Sequence, residues 1–268
     1  MKRPLILISN DDGYQSKGIH ELVRMVSHLG DIIVSAPEGA RSGQSRAFTT
    51  GDMTLRQLSR ADGVTWYACS GTPVDSVKMA YALVCPRRPD LILSGINHGD
   101  NASTNAHYSG TVGVAFEGAL KGIPAIAFSL CDYSADADFE PMHAIVESLC
   151  SYVLREGLPH QTCLNVNAPK VSTAADIKGV RLCRMADGYW HKEIADNSTV
   201  RYDAAGNIIY HYAGYYRCDE PEAADTDAWA LAHGYAAVTP CTIDITSREL
   251  LRSAPLQAVC DALSVNGA

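Results

Sequence analysis

The chain has 268 residues, of which 47% are hydrophobic and 19% charged, enough apolar content for one large α/β domain or two small ones and too little charge for a disordered chain. A net charge of −8 argues against a partner such as duplex nucleic acid held through its phosphates, but not against a small phosphorylated ligand, whose binding local charge decides. Nine cysteines without a CxxC pair suit reduced, mostly buried thiols better than a zinc or disulfide framework.

"PLILIS" opens the chain as an apolar run that suits a strand buried on both faces, and "NDDG" ends it. The helix "GIHELVRMVSHLG" follows, with Ile19, Leu22, Val23 and Val26 at helical spacing and Gly30 closing it. "DIIVSAP" is a strand that leads into the polar loop "EGARSGQSRA". "TWYACSG" is a strand before the helix "TPVDSVKMAYALV", where Thr72 can cap and Pro73 suits the first turn. The strand "PDLILSG", the helix "TVGVAFEGALKG", the strand "PAIAFSL", the helix "MHAIVESLCSYVLREG" and the strand "QTCLNVNAP" continue the alternation. Such alternation predicts substantial parallel pairing with helices on both faces of the sheet.

Beyond about residue 170 the pattern changes. The stretch from about 180 to 217 alternates, carries the turn "DAAGN" and holds Tyr189, Trp190, Tyr202, Tyr210, Tyr212, Tyr215 and Tyr216. It reads as a long hairpin arm, and a lone ribbon needs another surface to cover its aromatics: a partner subunit or, in the plainer alternative, its own domain with the arm folded back as a lid. A strand in "YAAVTPCTIDIT" and a helix in "LLRSAPLQAVCDALS", broken by Pro255, form a C-terminal unit over about 235–263. No stretch is apolar enough to span a bilayer and the basic start is too short for a signal peptide, so a cytoplasmic protein of one domain, 1–268, is expected.

Ligands bind beyond the carboxyl ends of strands in an open α/β sheet. Those ends read "NDDG", "APEGARSGQS", "CSGTP" and "SGINHGDN". Adjacent Asp11 and Asp12 repel each other unless a cation sits between them, although a solvated turn with one Asp capping the next helix is the plainer reading of that stretch alone. With the hydroxyl of Ser42 and the amide oxygen of Asn97 they make an all-oxygen donor set that suits Mg²⁺, Mn²⁺ or Ca²⁺. Ser109, Gly110 and Thr111 precede a helix and suit a phosphate cradle, or simply an N-cap. His98 and His107 flank the region as candidate proton donors, or as loop histidines without a task. GxGxxG and GxxxxGK[ST] are both absent.

Taken together, "ILISNDDGYQSKGI", "APEGARSGQS", "SGTPVDSV", "PDLILSGIN", "YSGTVGVAFEGALKGIPAIAFS", "LNVNAP" and "DTDAWALAHGYAAVTPCTID" resemble the SurE (survival protein E) family of nucleotidases. The resemblance implies a three-layer α/β/α Rossmann-like mixed sheet with a projecting hairpin and an exchanged C-terminal segment in a homodimer or homotetramer. It implies a phosphomonoesterase using one divalent ion per subunit, Mg²⁺ or Mn²⁺, on nucleoside monophosphates at the 5′ and in some members the 3′ position, and on short polyphosphate. The family's metal ligands fall on Asp11, Asp12, Ser42 and Asn97, and its phosphate contacts on Asn101, Ser109, Gly110 and Thr111. Ser103 and Asn105 stand where family members often have Gly and Asp. In this reading the acids hold the ion and one of them orients or deprotonates a water, while Ser109 and Thr111 touch the phosphoryl group and not the ion. Two rivals keep the same site: a metal-dependent hydrolase of another ester, and a nucleotide-binding regulatory protein without turnover.

Overall fold

Every residue of β1 (Leu5–Ser9) is buried, and its side chains divide by parity between two cores. Ile6 and Ile8 join one apolar cluster, while Leu5 and Leu7 join the other. The first cluster is closed by α1 (Lys17–Val26) and α4 (His143–Glu156), the second by α2 (Pro73–Leu83) and α3 (Gly110–Leu120). A strand covered on both sides has no polar face to show, which is why this segment is continuously apolar. The computed structural model describes residues 3–193, 200–210 and 214–264.

The main sheet has nine strands in the order β3-β4-β2-β1-β5-β6-β7-β13-β8. Its middle, β4 (Val64–Cys69), β2 (Asp31–Pro37), β1, β5 (Leu91–His98), β6 (Ala125–Leu130) and β7 (Thr162–Ala168), runs parallel, with Leu7 opposite both Ile33 and Ile92. Both margins turn antiparallel: β3 (Leu55–Ala61) pairs with β4, and β13 (Ala236–Thr242) pairs with β7. β8 (Val180–Leu182) completes the edge beside β13, on which α5 (Asp227–Ala232) packs. This is the three-layer α/β/α mixed sheet that the sequence led us to expect. β3 escaped that reading because its residues are mostly exposed and polar, with no apolar run to mark it.

One feature of the topology positions the site. From β1 the chain moves to β2 on one side, whereas β5, the other neighbour of β1, leads outward to β6 and β7. The carboxyl ends of β1 and β5 therefore flank the crevice where the sheet's winding reverses.

Outside the main sheet, β9 (Gly188–His191) pairs antiparallel with β12 (Tyr215–Cys218), setting Tyr216 opposite Trp190. Farther along the arm, β10 (Arg201–Tyr202) pairs with β11 (Ile208–Ile209). Tyr212 lies outside the described residues. The expected C-terminal helix is interrupted at Ser253, after a 3-10 turn at Leu250–Arg252, and α6 (Ala254–Ser264) carries Pro255 in its first turn. A proline in the first turn lacks only an N–H that has no intrahelical acceptor, so it starts a helix readily. The eight cysteines from Cys69 to Cys241 form no disulfide, and among the described residues no helix is long and apolar enough to cross a membrane.

Candidate active site

Asp11 lies two residues past the end of β1 and is 4% exposed. The turn that carries it is held by Asn10, whose Nδ2 donates to the Gly13 carbonyl at 3.0 Å and whose Oδ1 accepts the Gly13 N–H at 3.2 Å. The start of α3 presses against this turn. A Cβ on Gly110 would lie 2.7 Å from that of Asp11, so only glycine allows the approach. The Thr111 hydroxyl donates to Asp11 Oδ1. Burial pushes the Asp11 carboxyl up to about 6; the Thr111 hydrogen bond opposes the rise and the Asp12 charge adds to it.

Asp12 meets β5. Its Oδ2 lies 3.0 Å from His98 Nδ1 and accepts the His98 backbone N–H at 3.3 Å. The imidazole stands edge-on to Phe139, with centroids 5.0 Å apart, and its Nε2 is buried without a partner among the described residues. Asn97 sits where the pairing of β5 with β6 shifts register after Ser94. Its Nδ2 donates to the Gly99 carbonyl at 2.9 Å, which leaves Oδ1 as the amide atom with no such tie.

Ser42 lies on an exposed loop anchored by the Arg41 N–H, which donates to the Asp11 carbonyl at 2.7 Å. Ser45 ties this loop to the one after β5, its N–H donating to the Tyr108 carbonyl at 3.0 Å. Asp11, Ser42, Asn97, His98, Asn101 and Ser109 line one cavity of about 610 Å³. Asp12 does not line it directly but reaches it through His98, and exposed His107 lies off its wall.

The expected phosphate contacts differ in what their side chains have free. Ser109 is the N-cap of α3, its Oγ accepting the Val112 N–H at 3.0 Å, so its hydroxyl proton stays available. Thr111 is fully buried and its hydroxyl is committed to Asp11. Asn101 belongs to a buried amide network. Its N–H donates to Asn167 Oδ1 at 2.8 Å, its Nδ2 to Ser129 Oγ at 2.8 Å, and its carbonyl accepts from Asn165 Nδ2 at 2.8 Å. Asn165 and Asn167 were legible in "LNVNAP" as two polar residues spaced by two in a buried strand, a pattern that needs partners. Trp190, Tyr108 and Tyr133 also line the cavity; the sequence marked Trp190 only as one of the arm's aromatics, and nothing local marked Tyr108 or Tyr133.

Two adjacent carboxylates here have no Lys or Arg within ion-pair distance among the described residues; His98 on Asp12 is the only basic partner. Neither do three His, Cys, Asp or Glu side chains converge among those residues, so the remaining donors are neutral oxygens. A buried carboxylate lacking a cation, beside a second carboxylate, a hydroxyl and an amide oxygen, fits a hard divalent ion.

The family model described as "Survival protein SurE" matches residues 6–192. A protein of Phocaeicola vulgatus named 5′-nucleotidase SurE is 48% identical over 92% of this chain and 93% of its own length. Relatives of the same name from Bacteroides fragilis and Cytophaga hutchinsonii are 47% and 45% identical, over 92% and 94% of this chain and 94% and 95% of their own. The crystal structure of the SurE protein from Aquifex aeolicus superposes with a TM-score of 0.78 at 32% identity, covering 95% of this chain and all of that one. With a model match over most of its length and relatives at nearly half identity over more than nine-tenths of it, the chain belongs to the SurE family.

Proposed function

We propose that the protein is a divalent-metal-dependent phosphomonoesterase that hydrolyses nucleoside monophosphates to nucleoside and phosphate. The observation that carries this reading is the meeting of Asp11 with the first turn of α3 at the sheet's switch point. There the acidic turn after β1 and a helix N-terminus, which favours anions, border one cavity. The 5′-nucleotidase names of the relatives supply the substrate class.

Asp11, Asp12, Ser42 and Asn97 would hold one Mg²⁺ or Mn²⁺. When bound, such an ion supplies Lewis-acid neutralisation of charge on the phosphoryl group. Ser109, Asn101 and the first-turn N–H groups of Gly110 and Thr111 orient the phosphate, since a helix's first N–H groups have no intrahelical acceptor. His98, held at Nδ1 by Asp12 and lining the cavity, is the candidate proton donor to the leaving oxygen. Asp12 thus serves both the ion and the imidazole. Exposed apolar residues on α6 (Leu256, Val259, Leu263) and the tyrosines of the arm support a homodimer or homotetramer. The unbridged thiols from Cys69 to Cys241 support a cytoplasmic location.

The test is phosphate release from AMP and p-nitrophenyl phosphate, with and without chelator, with Mn²⁺ or Mg²⁺ added back. Activity should vanish on chelation and return with the ion. Full activity in protein shown by elemental analysis to be metal-free overturns the metal role, and AMP binding without release makes the protein a nucleotide-binding regulator instead.

A further inference from the structure

The cavity has an outer rim that the phosphate chemistry does not use. Trp190 of β9, Tyr108 and Tyr133 stand on it, exposed by 36%, 61% and 73%. Aromatic rings of this size are usually covered, and three around one opening call for something to cover them. Among the described residues no other ring stacks on any of the three. The polar tips of Trp190 and Tyr133, by contrast, are tied down. Trp190 Nε1 donates to Asn105 Oδ1 at 2.7 Å, Asn105 Nδ2 donates to Asp100 Oδ1 at 3.1 Å, and the Tyr133 hydroxyl reaches Asp100 Oδ2 at 3.3 Å. One hydrogen-bonded chain therefore joins two of the rings.

Trp190 is also fixed from behind. Its strand partner Tyr216 hydrogen-bonds Ser103 Oγ, and the Ser103 N–H donates to buried Asp227 at 2.9 Å. Ser103 and Asn105 sit on the loop that carries Asn101 and Ser109, so the root of the arm is locked to the wall of the phosphate site. A ring held by its edge, beside an acidic floor, is built to receive a flat apolar group attached to a phosphate.

We infer that this rim is a nucleobase subsite and that Trp190 is the residue that makes the enzyme prefer nucleoside monophosphates to phosphate monoesters without a base. The inference rests on the nucleotidase reading and names the part of that site that selects the substrate. Stacking is tolerant of base identity, because every base has a π-face, so adenine and uracil esters should both benefit. Asn105 is a positioning residue: it acts by holding the indole.

The experiment compares kcat/KM for AMP, UMP and ribose 5-phosphate in the Mn²⁺-loaded full-length enzyme. Trp190→Ala should lower kcat/KM for both nucleotides by about tenfold or more, mainly through KM, the size expected for loss of one stacking platform. Ribose 5-phosphate should stay within about twofold of wild type, because it has no base to stack. Trp190→Phe should recover most of the loss, and Asn105→Ala should show the same selectivity change at smaller size. An equal fall for all three substrates, or no fall for AMP, overturns the inference. Adenosine, which has no ester to cleave, should quench wild-type tryptophan emission but not that of Trp190→Phe. Absence of that difference also overturns it, whereas quenching with no hydrolysis of any ester supports the subsite and defeats the nucleotidase reading instead.

Discussion

The Thr111 hydroxyl donates to Asp11 Oδ1, joining the start of α3 to the end of β1. This contact opposes the rise that burial and Asp12 impose on the carboxyl, which with the bond in place stands at about 6. The sequence alone pointed Thr111 at phosphate, but in the fold its hydroxyl serves the acid.

Ion binding should therefore depend on pH. In the metal-free protein Asp11 keeps its proton below about 6, and a divalent ion must displace that proton. Mn²⁺ affinity should rise about fourfold between pH 5.5 and 7.5 from this group alone, read by calorimetric titration. Thr111→Val should push the midpoint higher still. The sign for folding is opposite: a raised carboxyl contributes stability that is fully present at acid pH below its unfolded value and is lost as pH rises through about 6. Metal-free protein should accordingly melt lower at pH 7.5 than at pH 5.5 as far as this group decides. An ion affinity flat across that range would mean that Asp11 is not a ligand.

Asp12→Asn should reduce turnover about a hundredfold or more, the size of the several kcal/mol that a catalytic ion supplies. It also removes the carboxylate that orients His98. The fold should survive, since relief of repulsion with Asp11 offsets the lost hydrogen bond. Circular dichroism melting and phosphate release on the same sample check both halves; near wild-type turnover at saturating metal would remove Asp12 from the ligand set.

His98 and His107 looked alike in the sequence and are now distinguishable. His98→Gln should lower kcat for AMP by about a hundredfold, within the range for a lost general acid. The loss should be much smaller for p-nitrophenyl phosphate, whose leaving group needs no proton. His107→Ala should leave both rates unchanged, because His107 is exposed and off the cavity wall. Equal losses on both substrates for His98→Gln would assign it to holding Asp12 in place and not to proton transfer.

The arm and α6 should set the mass in solution. Tyr189, Tyr202 and Tyr215 are at least half exposed, as are Val259 and Leu263. Light scattering at micromolar concentration should give a dimer or tetramer. Replacing the tip at residues 201–209 with a short Gly-containing turn, or removing residues 250–268, should lower that mass; a wild-type monomer would refute this assembly.

The order of elements was legible in the chain because a parallel strand buried on both faces leaves a continuous apolar run and amphipathic helices leave a 3.6-residue period. That Asp11, Ser42, Asn97 and Ser109 gather at one end of the sheet was also legible, because the polar segments at and beyond the carboxyl ends of β1, β2 and β5 are marked by the pattern. The edge strand β3 was not: solvent covers it, so burial selects no pattern. The choice of His98 over His107, the commitment of Thr111 to Asp11, and the arrival of Trp190 at Asn105 were equally hidden. Each joins residues far apart in sequence. Such contacts depend on strand order and on how an arm folds back, and no local period records either. Residue types and the ends of strands were set by the chain; which of those groups face each other was decided by the sheet that brings β1 beside β5.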